Sequence, residues 1–182
     1  MSMVELVSTL AMTPDGKSVL AYTGAGEIVR WNLLFGGGSR PRVTFKLDQV
    51  GPSIAVGKPL GLVMSVDGSK TALISSEGNK TSAANHPTVD AYSTYIYATG
   101  DLSRPLRSIT PGRGATTIAF DTAGRAYSNN AARDLIRFTE KGEQDKEYNL
   151  GGGTTQAILV QPDTRGVVVF TEKKCFALEP VK

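Results

Sequence analysis

The sequence predicts an all-β chain of about four repeated units, each a sheet of four antiparallel strands, with the last unit one strand short. Three observations support this. Helical periodicity is nearly absent, and the apolar runs are short and rich in β-branched and aromatic residues. Gly, Asp, Asn and Pro separate those runs, and the 20 glycines suit a fold with many turns. Third, one order of elements, strand, tight turn, strand, loop, strand, returns along the chain.

The first unit, placed at 4–50, shows the pattern most fully. A strand beginning near Val7 leads into Thr13-Pro14-Asp15-Gly16, where Pro presets φ and Gly accepts a positive φ. A second strand follows from Ser18 to Thr23, Gly24-Ala25-Gly26 turns the chain, and strands from Glu27 to Leu33 and from Arg42 to Asp48 complete the unit. The second unit, 54–111, repeats this through "LGLVMSVDGSKTALISSEGN", a long loop, "TYIYAT" and "PLRSIT". The third, 114–150, carries "TTIAF", a turn through Gly124, "RAYSN", "LIRFTE" and "KEYNL". The fourth, 154–182, contains "TQAILVQPDTRGVVVFTEKKCFALEP". The turn glycines 16, 68, 124 and 166 are spaced by 52, 56 and 42 residues.

A four-stranded unit returning at such intervals is the blade of a β-propeller. The motifs sharpen this. "MTPDGKSVLAYTGAGEIVRWNL" resembles the WD-repeat-like propeller pattern, in which S/T-P-D-G-K precedes a strand ending in W-N or W-D. "IAFDTAGRAYSNNAARDLIRFTEKG" resembles the NHL-type repeat. The chain departs from the WD pattern in having no Gly-His pair before a strand and only Trp31 near the usual tryptophan place. The resemblance implies a fold and leaves function open, because propellers host scaffolds and enzymes alike.

In a stack of blades, Trp31, Phe120, Tyr127, Phe138 and Phe170 are expected in the cores between neighbours. In the third strand Ile28, Arg30 and Asn32 alternate with Val29, Trp31 and Leu33, so one face is expected to meet the next blade while the other is more polar. After Gly166 only 16 residues remain, room for two strands. The last blade is therefore expected to lack its outer strand. About five residues precede the first strand, too few to supply it, so either four blades close into a small ring with a ragged seam or, the favoured expectation, the chain completes a larger ring with a second copy, another subunit or further polypeptide.

Composition narrows the chemistry. The chain has 182 residues, a net charge of +3, one histidine and one cysteine. An internal disulfide cannot form, and no thiolate or histidine metal cluster can be assembled. Cys175 is expected to be buried or half-buried. Arg104, Arg107 and Arg113 form the densest basic stretch, yet no aromatics interleave with them as a nucleic-acid groove requires. No phosphate-loop or nucleophile-elbow motif occurs. Asp15, Asp67, Asp121 and Asp163 occupy corresponding turns and read as turn-forming residues rather than as calcium ligands. There is no signal-peptide pattern at Met1–Met12 and no run of 18 apolar residues, so an intracellular place away from membranes is expected.

These observations favour a non-catalytic propeller module, a scaffold within a larger assembly that binds proteins through loops and an open blade edge. No cofactor is expected. The competing reading is a propeller enzyme of the lactonase, lyase or hydrolase kind with a metal in the central channel. The candidate contacts are His86, Tyr92 and Tyr95, in and beside the longest loop (Glu77–Ser93), and the arginines Arg104, Arg107 and Arg113.

Overall fold

The computed structural model describes residues 7–24, 26–37, 42–51, 59–77, 91–111, 115–130, 135–151, 153–161 and 166–178. They form four antiparallel sheets in chain order. The first holds β1 (Val7–Met12), β2 (Ser18–Thr23), β3 (Ile28–Gly36) and β4 (Arg42–Val50). The second holds β5 (Pro59–Met64), β6 (Lys70–Glu77), β7 (Ala91–Ala98) and β8 (Arg107–Ile109). In the third are β9 (Ile118–Phe120), β10 (Ala126–Asn129), β11 (Leu135–Phe138) and β12 (Gln144–Tyr148). The fourth has three strands, β13 (Thr155–Val160), β14 (Val167–Thr171) and β15 (Cys175–Leu178). Within every sheet, neighbours in space are neighbours in sequence, which is the meander of a propeller blade.

One turn chemistry builds the first hairpin of three blades. Gly16, Gly68 and Gly124 donate their N–H groups to the carbonyls of Thr13, Ser65 and Asp121 at 2.8, 2.9 and 2.9 Å. Their φ values of 69°, 72° and 77° lie in the left-handed region, where a Cβ is penalised. The turn carboxylates fasten the same loops. Asp15 accepts from the Thr13 hydroxyl at 2.6 Å, and Asp67 from the Ser65 hydroxyl at 2.6 Å. These bonds are the first cause that holds both carboxyls below the usual range. The corresponding turn of the fourth unit, with Asp163, falls outside the described residues.

The sheets pack face to face in sequence, first on second, second on third and third on fourth. Leu20, Tyr22 and Ile28 of the first meet Leu62, Leu73 and Tyr97 of the second. Ile74, Ile96 and Ile109 of the second meet Phe120, Ile136 and Phe138 of the third. Tyr127 and Leu135 of the third meet Ile158, Val167 and Val169 of the fourth. Four sheets thus enclose three cores. Among the described residues no strand of the first sheet packs on one of the fourth to the extent that joins consecutive sheets. The arrangement is an open arc.

Two sequence expectations are corrected here. Phe120, Tyr127 and Phe138 are buried between sheets, but Phe170 is 39% exposed and Trp31 is only half-buried. Cys175 is exposed rather than buried. Both departures follow from the open arc: Trp31 lies on the outward face of the first sheet, and Phe170 and Cys175 on that of the fourth, where none of the described sheets covers them.

Candidate interaction faces

Strand register assigns each residue of the first sheet to a face, because partners directly opposite point the same way. Met12 pairs with Val19, Val19 with Trp31 and Trp31 with Leu47. Leu10 pairs with Ala21, and Leu33 with Phe45. This face points away from the second sheet, and every one of these side chains is apolar. Leu10, Met12, Phe45 and Leu47 are 54–63% exposed. Val7, Leu10, Val19, Ala21, Trp31 and Phe45 line a depression of about 260 Å³ with a wholly apolar wall.

The opposite face carries the polar members of β3, contrary to the expectation that the apolar side would meet the neighbour. Arg30 donates from Nη1 to the Thr99 carbonyl of the second sheet at 2.6 Å and from Nε to Asp48 at 2.6 Å. Gln49 donates to the Gly100 carbonyl at 2.9 Å. Polar tethers and the core beneath them join the first sheet to the second, while the richer apolar surface stays outside. A signal for this lay in the sequence: β2 and β3 have apolar residues at both parities, the pattern of strands buried on two sides, and β4 turns Val43, Phe45 and Leu47 to a single face.

The fourth sheet repeats the situation. Ile158, Val167 and Val169 turn into the third core. Leu159 pairs with Val168 and Val168 with Ala177, while Ala157 pairs with Phe170 and Phe170 with Cys175. These six form the outward face, with Leu159 54% exposed. Contiguous exposed apolar faces are uncommon on the surface of a folded monomer, which makes these two faces the candidates for interaction.

The candidate contacts read from the sequence are scattered. His86 and Arg113 lie outside the described residues, as does the side chain of Tyr92, whose backbone pairs with Ser76. Tyr95 is half-buried and packs against the core between the first and second sheets. Arg104 is exposed. Arg107 is half-buried and donates to the Gly124 carbonyl at 3.3 Å, and burial is the main cause that lowers its pKa. Tyr95 pairs with Ser108 and Arg107 with Ile96, so the two side chains point to opposite faces of the second sheet. They do not share a site.

The turn carboxylates are occupied with their own loops. Asp121 accepts from the N–H groups of Ala123 and Arg125 at 2.9 Å each, and from Arg125 Nε at 2.6 Å. Among the described residues no group of three His, Cys, Asp or Glu side chains is placed to hold a metal ion. Nor is any helix among them long and apolar enough to cross a membrane.

The fold is that of a WD-repeat-like β-propeller, in the form of an arc. A crystal structure of the RRP9 WD40 repeats is similar to it, with a TM-score of 0.57 at 14% identity, over 98% of this chain and 52% of that one. A structure of U3-55K is similar with a TM-score of 0.55 at 15% identity, over 98% of this chain and 53% of the other. The chain therefore spans about half the length of these structures. No family model matches the sequence. No curated protein matches it either.

Proposed function

We propose that this chain is a non-catalytic protein-interaction module, a propeller segment that docks a protein partner on the outward face of its first sheet. Trp31 is the anchor, seated among Leu10, Val19 and Phe45, and partner binding would remove these side chains from water at a gain of about 25 cal/mol per Å² of apolar surface. Arg104, exposed in the connection between β7 and β8, is a separate candidate contact, and His86, Tyr92 and Arg113 stay candidate contacts on the sequence alone. Among the described residues β15 is the edge of a sheet with one strand fewer than the others, which offers a place for strand addition. The observation that carries this reading is a sheet with two apolar faces of which only one is covered.

The test is recovery of partners from the native source by the wild-type chain and by Phe45→Glu. Phe45 is 61% exposed, so the charge leaves the blade folded. A defined partner retained by the wild type and lost by Phe45→Glu is the expected result. A partner set indifferent to Phe45→Glu and to Leu10→Glu would contradict it.

A further inference from the structure

We infer that a second copy of this chain covers both outward faces, so that two four-bladed arcs close head to tail into one eight-bladed ring. This rests on the reading that those faces are docking surfaces and names their occupant. Three observations lead there. The arc has four sheets but three cores, and so lacks one inter-blade core for closure. It superposes over 98% of its own length on 52–53% of WD-repeat chains, so an arc of this curvature needs about its own length again to close.

The third observation is that the two ends complement each other. The first sheet presents bulky Met12, Trp31, Phe45 and Leu47, whereas the fourth presents Ala157, Val168, Cys175 and Ala177 beside Leu159 and Phe170. Large residues facing small ones is how packed layers interdigitate. First sheet on fourth is therefore a better fit than either on itself. A two-fold axis makes the two junctions identical, and the assembly closes without a free end.

Sedimentation equilibrium of the purified chain tests this. The expected mass is twice 19.3 kDa. Phe45→Glu and Phe170→Glu each place a charge in both junctions and should weaken self-association at least about a hundredfold. Mixing the two variants should restore a dimer, because one junction then carries both substitutions and the other neither. Circular dichroism confirms that each variant is folded, and Leu10→Glu serves if Phe45→Glu is not. A folded wild-type monomer at micromolar concentration would overturn the ring. So would a dimer that Phe45→Glu breaks and Phe170→Glu leaves intact, since two first sheets would then face each other. A monomer whose partner recovery still depends on Phe45 overturns the ring alone, whereas a monomer with no such dependence overturns the docking surface as well.

Discussion

The third and first sheets are built on one repeat, yet only the third is covered on both sides. β9, β10 and β11 are buried at every position, with Phe120 and Phe138 turned to the second sheet and Tyr127 and Leu135 to the fourth. The first sheet also has an apolar outward face, but among the described residues no other sheet packs on Leu10, Trp31 and Phe45. Burial here is decided by position in the arc rather than by the strand's own residues. The first sheet is composed as an interior blade and stands at an end of the arc.

The largest effect should come from the covered sheet. Phe120→Ala empties space between the second and third sheets and should cost about 3–5 kcal/mol of unfolding free energy. Phe45→Ala, measured by denaturant unfolding at concentrations where the chain is monomeric, should change it by about 0.5 kcal/mol or less. Equal losses would mean that the first sheet's outward face is covered within one chain.

The shared turn gives a second contrast. The Asp121 side chain is 1% exposed and holds two backbone N–H groups and Arg125. Asp121→Ala should cost about 2 kcal/mol or more, because it removes a buried carboxylate that accepts three charge-assisted hydrogen bonds. Asp15→Ala, two positions further along the corresponding turn of the first sheet and exposed, should shift the denaturation midpoint much less. The reverse order would break the comparison.

Acid should act through carboxyls held low in the fold. Asp67 is lowered chiefly by the Ser65 hydroxyl, and Asp145 chiefly by Arg137, whose Nε and Nη2 donate to it at 2.9 and 2.8 Å. A depressed folded pKa contributes stability that is complete above the unfolded value of about 3.9 and is lost as pH falls through the folded value. Melting temperature should hold steady from about pH 7 to 5 and decline below about pH 4, with a shallower decline in Asp145→Asn. A fall that begins near pH 6 would point to other groups.

The smallest effect concerns Tyr97, fully buried between the first two sheets. Its hydroxyl has no hydrogen-bond partner among the described residues, and burial, the main cause, pushes its pKa up to about 12. Tyr97→Phe should leave stability unchanged or raise it by about 1 kcal/mol at most. A loss above that would reveal a partner for the hydroxyl.

Much of the fold was legible because turn chemistry is local. Thr13-Pro14-Asp15-Gly16 specifies its hairpin from four residues, and the strands on either side lie where the pattern puts them. Which face of a sheet is covered was not legible, since it depends on contacts between units. Trp31 and Phe170 read as core because their residue types say so, and only the arrangement of four sheets around three cores shows them outside. Trp31, the proposed anchor, was read as a fold marker. The same tryptophan that carries the repeat resemblance stands at the centre of the exposed face.

Trp31 is the only tryptophan, so its fluorescence reports on that face directly. Acrylamide quenching of the wild-type chain across a dilution series is the most direct measurement. Quenching should be weak when the protein is concentrated, rise as it is diluted, and stay high at every concentration in Phe170→Glu, whose substitution lies on the fourth sheet. A Trp31 quenched equally at all concentrations, with the Phe170→Glu variant indistinguishable from wild type, would contradict the covering of one arc's first sheet by another's fourth.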